Sequence, residues 1–186
     1  MTNLTTEELE TVRQNADQLF SNAEVAAAMD KIANEITHDL SDRNPVVLTV
    51  MNGGMVPAAM LLERLHFPLE IDYIHLTRYG DLATGGEIEW IRRPSKKIAG
   101  RTVLLVDDLL DHGVTLQSAS DACIEGGADQ VFTAVLLIKS LLNRPGLPMT
   151  DYFGLTAPDR YVFGCGMDYK NYWRNCPGIF ALKDDD

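Results

Sequence analysis

The stretch VLLVDDLLDHGVTL, residues 103–116, decides the fold. Four apolar residues typical of a buried strand lead into Asp107 and Asp108, and Asp111 follows two leucines later, just before His112 and a glycine. Three carboxylates within five residues repel one another, and residues 103–116 contain no lysine or arginine to offset the repulsion. A metal ion or a cationic transition state is therefore the expected partner of these acids.

The turn after the acids is typical of an anion site. Carboxylates that follow a parallel strand lie at its carboxyl end, the edge where open α/β sheets bind ligands. Residues 111–115 then lead into a helix, which offers unpaired N–H groups, a threonine hydroxyl and the positive helix end to one point. This arrangement favours a phosphate. The alternative is an ordinary strand-to-helix turn in which an aspartate or a threonine only caps the helix.

Strands alternate with helices along most of the chain. VVLTVM, residues 46–51, is a predicted buried strand that ends at Asn52, Gly53 and Gly54, and a helix follows it. Further strands are expected at residues 69–77, 87–91, 103–106 and 131–138, a helix at 115–125, and short strands and loops at 141–180. The pattern predicts an α/β fold with a mainly parallel central sheet flanked by helices. The polar loop at residues 79–86 is a candidate lid.

The amino-terminal residues are predicted to be helical. Thr5 and Glu8 form a capping-box pattern, and apolar residues continue at helical spacing to residue 20. A second helix is expected from about residue 21 to residue 40. Residues 1–44 are interpreted as a helical segment of one domain that spans residues 1–186, because this length with 46% hydrophobic content suits a single core.

Composition excludes several classes of protein. A formal net charge of −11 and a pI of about 4.7 argue against nonspecific binding to nucleic acid or to anionic membranes. Cys123, Cys165 and Cys176 have no CxxC spacing, so neither a disulfide framework nor a zinc site is expected. The acidic start MTNLTTEELE lacks an apolar signal segment, and no stretch approaches the roughly 18 apolar residues of a membrane span. A cytoplasmic protein is predicted.

Two common kinds of protein also end an apolar strand in aspartates. A P-loop NTPase would need GxxxxGK[ST], which this sequence lacks. A phosphoreceiver domain normally has its acidic strand near the start and a proline after its lysine. Here the acids follow about a hundred residues, and Lys139 precedes Ser140. Neither interpretation fits.

The motifs resemble those of type I phosphoribosyltransferases. VLLVDDLLDHGVTL resembles the family's phosphoribosyl-diphosphate motif, in which an Asp-Thr-Gly turn and a threonine follow the acids. VMNGGMVPAAML resembles its glycine turn, VLLIKS its strand with a purine-reading lysine, and PDRYVFGCGMDYKNYWRN the carboxyl-terminal segment of its 6-oxopurine branch. These motifs cover residues 45–182 in the family's order. The chain is therefore similar to the hypoxanthine-guanine phosphoribosyltransferases.

The resemblance implies a fold and an activity. The fold would be the type I phosphoribosyltransferase fold, with a small base-binding hood to which about residues 141–182 contribute and a flexible loop. The activity would be purine salvage: transfer of a 5-phosphoribosyl group from 5-phosphoribosyl 1-diphosphate to hypoxanthine or guanine, giving IMP or GMP and pyrophosphate. Mg²⁺ is the implied cofactor, a homodimer or homotetramer is expected, and no nucleic-acid or membrane partner is implied.

The resemblance also assigns roles around the sugar and the phosphates. Asp107 and Asp108 would hold the ribose hydroxyls, directly or through Mg²⁺, and Asp111 would be the general base facing N7 of the purine. The 5′-phosphate would be cradled by His112, Gly113, Val114 and Thr115.

The diphosphate would be bound by a glycine loop and an arginine. Asn52, Gly53 and Gly54 would form the loop, and the resemblance implies that the Asn52–Gly53 peptide is cis. Arg174 would face the diphosphate, and Asp168 would reach a second Mg²⁺ through water.

The purine would be recognised mainly by Lys139 and the hood. Lys139 would donate to the oxygen at C6, which selects hypoxanthine and guanine over adenine. Tyr161 would stack on the ring, and the backbone near Val162 and Asp168 would meet its other edge. Arg78 and Tyr79, at the start of the lid, would close over the reacting sugar.

The sequence departs from the family pattern at two positions. His112 stands where threonine is usual, which predicts pH-sensitive affinity for the 5′-phosphate, and Arg78 stands where serine is common. Two alternatives stay open: a xanthine-preferring phosphoribosyltransferase, and a non-catalytic nucleotide-sensing regulator of the same fold that binds RNA. The charge of −11 and the presence of Asp111 count against the regulator.

Overall fold

The computed structural model describes residues 4–79 and 87–183. The helices in these ranges are α1 (Thr6–Asn15), α2 (Asn22–Leu40), α3 (Met55–Leu62) and α4 (Val114–Glu125), with a 3₁₀ turn at Lys96–Ile98. The strands are β1 (Asp17–Phe20), β2 (Val46–Met51), β3 (Glu70–Tyr79), β4 (Glu87–Arg92), β5 (Thr102–Leu110), β6 (Gln130–Lys139), β7 (Tyr152–Ala157), β8 (Val162–Phe163) and β9 (Ile179–Ala181).

The central sheet has the order β4-β3-β2-β5-β6-β7 among the described strands. The neighbours from β3 to β7 are parallel, and β4 returns antiparallel along the edge of β3. Strands β2, β5 and β6 therefore lie in the middle and point the same way. Their carboxyl ends meet at one edge, where sheets of this kind bind ligands. The predicted α/β fold with a mainly parallel sheet is confirmed.

Helices cover both faces of this sheet. Successive side chains of a strand point to opposite faces, so Leu104 and Val106 pack in the core that contains α2 and α3, whereas Val103 and Leu105 pack in the core that contains α4. All four side chains are almost completely buried. Strands enclosed on both faces are expected to be continuously hydrophobic, as β5 is from Val103 to Val106.

A second, smaller sheet corrects the prediction for the amino terminus. Residues 17–20 were predicted to continue a helix, but they form β1, which pairs antiparallel with β9 in the order β1-β9-β8. Asp17 lies opposite Ala181, and its carboxylate accepts a hydrogen bond from Arg160 at 2.7 Å. Contacts with residues more than 140 positions away thus decide the structure of residues 17–20, although the local spacing of apolar residues favours a helix.

The two predicted amino-terminal helices exist on either side of β1. Thr5 caps α1 and Ser21 caps α2, each with a reciprocal capping box to the glutamate three residues later. Because Ser21 starts a new helix, the chain between α1 and α2 is left free to pair with β9. The predicted bounds of α2 are confirmed.

Strand β5 is longer than predicted. It was expected to end at Val106, but it continues to Leu110, so Asp107 and Asp108 lie within the strand. The reason is the neighbouring strand: Leu109 and Leu110 pair with Leu137 and Ile138 of β6, which supplies the backbone partners.

Strand β3 also extends beyond its predicted end. It runs through Arg78 and Tyr79, which were placed at the start of the lid. Residues 80–86 of the predicted lid lie outside the described residues.

The cysteines behave as apolar core residues. Cys123, Cys165 and Cys176 are buried and free, and burial raises the pKa of Cys123 to about 12. Across the described ranges, no helix combines the length and apolarity needed to cross a membrane.

Candidate active site

A cleft of about 640 Å³ opens at the carboxyl ends of β2, β5 and β6 and faces the segment that contains β8. The predicted site residues come from separate parts of the chain. Among those whose side chains the structure describes, all except Gly54 line this cleft. Gly54 lies just beneath it as the first residue before α3. The side chains of Arg78 and Tyr79 are not among those described.

Two adjacent carboxylates form the acidic wall of the cleft. Asp107 is buried, and its Oδ1 accepts a hydrogen bond from the backbone N–H of Asp108 at 2.9 Å. Burial, and then the negative charge of Asp108, raise the pKa of Asp107 well above its ordinary value. Burial also raises the pKa of Asp108. Both ionised forms would be stabilised by a cation in the cleft.

The acidic wall fits a hard divalent cation that brings part of its coordination shell with it. Within residues 4–79 and 87–183, no three histidine, cysteine or acidic side chains are grouped to hold a metal by themselves. Mg²⁺ commonly binds through one or two carboxylates and completes its octahedron with water and ligand phosphate oxygens. Asp107 and Asp108 offer oxygen donors of this kind.

Asp111 lies between two basic side chains. Its Oδ2 is 3.4 Å from Nζ of Lys139, and its Oδ1 is 3.2 Å from Nδ1 of His112. Lys139 is mostly buried and is also 3.4 Å from the carboxylate of Asp159. A carboxylate and an ammonium group are thus presented together at the end of β5 and β6, where one ligand can meet both.

The turn that follows Asp111 is shaped by close backbone packing. Gly113 has a φ of +74°, and a Cβ there would lie 2.3 Å from the carbonyl oxygen of Leu147. The N–H groups of Gly146 and Leu147 donate to the carbonyls of His112 and Gly113. Because the segment at 146–147 takes up these carbonyls, the turn has a fixed shape at the amino terminus of α4, where first-turn N–H groups are available to an anion.

The glycine loop after β2 contacts the acidic wall directly. A Cβ on Gly53 would lie 2.3 Å from Oδ2 of Asp108, and a Cβ on Gly54 would lie 2.4 Å from the carbonyl oxygen of Val106. Only glycine allows the loop to approach β5 this closely.

The cis peptide bond of this loop is Met51–Asn52, not Asn52–Gly53 as the resemblance implied. The chain changes direction one residue earlier than expected, because the N–H of Gly54 already donates to the carbonyl of Val50 in β2.

The opposite wall carries an aromatic ring and an ion pair. Tyr161 is 49% exposed and packs edge-on against Tyr169. Arg174 pairs with Oδ1 of Asp168 at 2.6 Å, and the backbone N–H of Asn171 donates to Oδ2 of Asp168 at 2.7 Å. Since protein donors occupy both oxygens of Asp168, this carboxylate suits a water-mediated metal contact better than a direct one.

Sequence reasoning missed a structural arginine. Arg144 donates to the carbonyl oxygens of Asp111 at 2.9 Å, of Pro148 at 3.3 Å and of Lys139. It therefore joins the loop after β6 to the two residues that carry the central charges of the cleft. Its partners are backbone atoms, so no pattern of side chains in the sequence identifies them.

Three further polar residues of the cleft were also missed. His75, Thr77 and Asn171 line the cleft. His75 and Thr77 come from β3. The alternation of apolar and polar residues in β3 predicts a strand, but it does not predict which strands end at the cleft.

Known proteins resemble the chain in sequence and in structure. Residues 15–170 match the family described as phosphoribosyl transferase domain. A hypoxanthine-guanine phosphoribosyltransferase of Streptococcus pneumoniae is 33% identical over 168 residues, which cover 90% of this chain and 93% of that protein. A hypoxanthine-guanine-xanthine phosphoribosyltransferase of Tritrichomonas foetus is 29% identical, with 89% and 91% covered.

A solved structure extends the likeness to three dimensions. A hypoxanthine-guanine phosphoribosyltransferase of Bacillus anthracis superposes with a TM-score of 0.83 at 27% identity, covering 90% of this chain and 98% of that one.

Proposed function

The chain belongs to the phosphoribosyl transferase domain family, and on that premise we propose that it is a purine salvage enzyme acting on hypoxanthine and guanine. It transfers the 5-phosphoribosyl group of 5-phosphoribosyl 1-diphosphate to the base and releases IMP or GMP and pyrophosphate. The observation that carries the proposal is that Oδ2 of Asp111 lies 3.4 Å from Nζ of Lys139, beside the acidic wall.

Asp111 and Lys139 suit the two edges of a 6-oxopurine. Lys139 donates to the oxygen at C6, and Asp111 accepts the proton that N7 loses as the glycosidic bond forms. An amino group at C6, as in adenine, cannot accept from Lys139 and would leave a mostly buried ammonium group without its ligand partner. The pairing of these residues supports selection of oxo purines over amino purines.

The turn at residues 111–115 suits the 5′-phosphate. His112, Gly113, Val114 and Thr115 surround the amino terminus of α4, and their N–H groups, the threonine hydroxyl and the helix dipole all favour an anion. The fixed backbone of this turn supports binding without reorganisation.

The glycine loop and Arg174 suit the diphosphate. The loop of Asn52, Gly53 and Gly54 brings the backbone N–H groups of Asn52 and Gly53 beside the acidic wall, while the N–H of Gly54 donates to Val50 and fixes the loop. Arg174 contributes positive charge from the opposite side. Arg78 and Tyr79 begin the segment that we expect to close over the reacting sugar and exclude water.

The acids suit the reacting sugar and Mg²⁺. Asp107 and Asp108 would hold the ribose hydroxyls and Mg²⁺, and Asp168 would hold a second Mg²⁺ through water. When bound, Mg²⁺ neutralises the negative charge that develops on the leaving diphosphate. The negative charge of Asp107 and Asp108 favours the positive charge that builds at C1 of the ribose.

The hood suits the face of the base. The half-exposed ring of Tyr161 stacks on the purine, and the backbone near Val162 and Asp168 meets its remaining edge. We assign the hood to β1, β8, β9 and the loops at residues 141–182 within a single domain. A homodimer or homotetramer and a cytoplasmic location stay part of the proposal.

A preference for xanthine is the second candidate. The Tritrichomonas foetus relative is named for hypoxanthine, guanine and xanthine, and Lys139 separates oxo from amino purines better than it separates oxo purines from one another.

Pyrophosphate release tests the proposal. The protein is mixed with 5-phosphoribosyl 1-diphosphate and Mg²⁺, and hypoxanthine, guanine, xanthine or adenine is added separately. Turnover with the first two and little with adenine is expected. Turnover mainly with xanthine would select the second candidate. Binding of the phosphosugar without turnover on any base would instead indicate a nucleotide-sensing regulator.

A further inference from the structure

Trp173 joins the opposite wall of the cleft to the amino-terminal helix. Its indole N–H donates to the carbonyl oxygen of Leu9 at 3.0 Å, and the guanidinium group of Arg13 lies over its ring, 5.8 Å from the ring centroid. Within α1, which the structure describes in full, Leu9 is the one buried residue. Trp173 and Leu9 are 164 positions apart in the sequence, so only the tertiary structure shows this contact.

The backbone of Trp173 has an uncommon conformation. Its φ is +65°, in the left-handed region that residues with a Cβ seldom adopt. Such a residue persists where its surroundings fix it. Here the indole N–H binds Leu9, and the carbonyl oxygen of Trp173 accepts a hydrogen bond from the N–H of Cys176 at 3.0 Å. A shallow cavity of about 140 Å³ lies between α1 and this segment, so close packing alone does not hold the two together.

The residue after Trp173 reaches into the cleft. Arg174 binds Gly166 twice: its side chain donates to the Gly166 carbonyl at 2.7 Å, and its own carbonyl accepts from the Gly166 N–H at 2.9 Å. The other end nitrogen of the guanidinium group pairs with Asp168 at 2.6 Å. Gly166 in turn lies against the glycine loop, since a Cβ on it would lie 2.3 Å from the carbonyl oxygen of Gly53. The position of Trp173 therefore influences where Arg174 and its partners face the cleft.

We propose that Trp173 is a positioning residue for the diphosphate of the substrate, with α1 as its support. Anchored on Leu9, Trp173 fixes the backbone from which Arg174 extends. Arg174 in turn keeps Asp168 and Gly166 in the positions that face the diphosphate and its cation. The inference rests on the proposed function, which assigns Arg174 and Asp168 to these ligands. A guanidinium group already held in place loses less side-chain freedom when an oxyanion binds, so the affinity for diphosphate depends on this support.

The support acts on one part of the cleft. The turn at residues 111–115, proposed for the 5′-phosphate, is fixed instead by Arg144 and by the segment at residues 146–147, and Lys139 is the last residue of β6. Loss of the indole hydrogen bond should therefore weaken binding of a diphosphate but not binding of a sugar phosphate. A general loosening of the fold would weaken both, so the difference between the two ligands identifies a positioning role.

Calorimetry with pyrophosphate and Mg²⁺ tests the support without the transfer reaction. Trp173→Phe keeps an aromatic ring but lacks the N–H donor, so we expect the Kd for pyrophosphate to rise roughly three- to tenfold, the range that one lost hydrogen bond covers. The Kd for ribose 5-phosphate should stay within about twofold of the parent value. Tyr172→Phe is the matched control, because Tyr172 is the neighbouring aromatic residue and is exposed. It should retain both affinities.

A double variant tests the part that α1 plays. Leu9→Ala removes the one buried side chain of α1 and should also weaken pyrophosphate binding. Because both changes act on one contact, the double variant Leu9→Ala/Trp173→Phe should bind pyrophosphate no more weakly than the weaker-binding single variant. Effects that multiply would show that Trp173 acts without α1 and would overturn the inference. If Trp173→Phe does not fold, Leu9→Ala carries the test with the same two ligands.

Three other results would also overturn the inference. They are an unchanged affinity of Trp173→Phe for pyrophosphate, equal losses of affinity for pyrophosphate and ribose 5-phosphate, and a parent protein that binds no pyrophosphate. Pyrophosphate binding that depends on Trp173, in a protein that turns over no purine, would leave this inference standing and reject only the proposed function.

Discussion

Oδ2 of Asp111 and Nζ of Lys139 lie 3.4 Å apart, although 28 residues separate them in the sequence. The contact exists because β5 and β6 are parallel neighbours and both residues follow the ends of their paired segments. The proposed general base and the proposed hydrogen-bond donor to the purine are thereby held close enough together for one purine ring to contact both. The contact is the point at which the predicted phosphate and base sites meet.

Replacing Lys139 should change which base is used. Lys139→Gln removes the ammonium group but retains a donor, so we expect kcat/KM for hypoxanthine to fall about 10- to 100-fold, equivalent to roughly 1.4–2.8 kcal/mol. The ratio of hypoxanthine to adenine turnover should fall with it. Steady-state kinetics with both bases measures the ratio. An unchanged ratio would exclude Lys139 from recognition of the C6 substituent.

Replacing Asp111 should slow the reaction without preventing binding of the phosphosugar. Asp111→Asn keeps the size of the side chain but cannot accept the purine proton, so kcat should fall about 10²- to 10⁴-fold. The Kd for 5-phosphoribosyl 1-diphosphate, measured by calorimetry, should stay within a few-fold of the parent value. Unaltered turnover would remove Asp111 from the role of base.

The acidic wall should make stability fall as pH rises when no cation is bound. The folded protein holds protons on Asp107 and Asp108 at pH values where the unfolded chain has released them, because their pKa values are raised on folding. The free energy of unfolding therefore decreases between the unfolded and the folded pKa values. Asp107→Asn removes one of the charges, and we expect it to be more stable than the parent by on the order of 1 kcal/mol at pH 8.

Denaturant unfolding at pH 5 and pH 8 measures this effect. Asp129 is exposed and outside the cleft, so Asp129→Asn is the matched change in net charge and should not alter the difference between the two pH values. An Asp107→Asn variant that loses as much stability as the parent on going to pH 8 would contradict the prediction. The stabilised variant should bind Mg²⁺ and the phosphosugar more weakly.

The contact between Gly53 and Asp108 should make Gly53 intolerant of any side chain. A Cβ there would overlap the Asp108 carboxylate at 2.3 Å, so Gly53→Ala should displace the acidic wall and raise KM for 5-phosphoribosyl 1-diphosphate at least about tenfold. Gly100→Ala is the control. A Cβ at Gly100 meets nothing within 4 Å, and its positive φ adds only backbone strain. Equal kinetic effects of the two substitutions would argue against the contact.

Arg144 should matter for the geometry of the cleft more than for its charge. Arg144→Lys keeps the positive charge but cannot reach the carbonyls of Asp111, Lys139 and Pro148 together. We expect kcat/KM to fall about tenfold and stability to fall by about 1 kcal/mol, because the partly buried carbonyls of Asp111 and Lys139 lose their donor. Kinetics and thermal unfolding of Arg144→Lys test this. If the lysine variant equals the parent in both, Arg144 acts only through its charge.

Much of the cleft was predictable because its residues occur in short segments with strong local patterns. The acids, the glycine turn and Lys139 each follow an apolar run, and the carboxyl ends of parallel strands meet by necessity. The α/β fold follows from the alternation of strands and helices, and the bounds of α2 follow from its cap at Ser21. Each of these features is set by residues that are neighbours in the sequence, so the sequence alone could predict it.

The tertiary structure alone decided the features that depend on distant partners. The pairing with β9 turned residues 17–20 from a predicted helix into β1, and the length of β6 extended β5 past its acids. Arg144 binds backbone carbonyls, and His112 faces Asp111 through atoms whose burial only the packed turn creates. The sequence by itself determined which chemical groups reach the cleft, because local hydrophobic pattern and strand ends place them there. Their distances and protonation were decided by tertiary packing, because hydrogen bonds and desolvation depend on atoms that lie far apart along the chain.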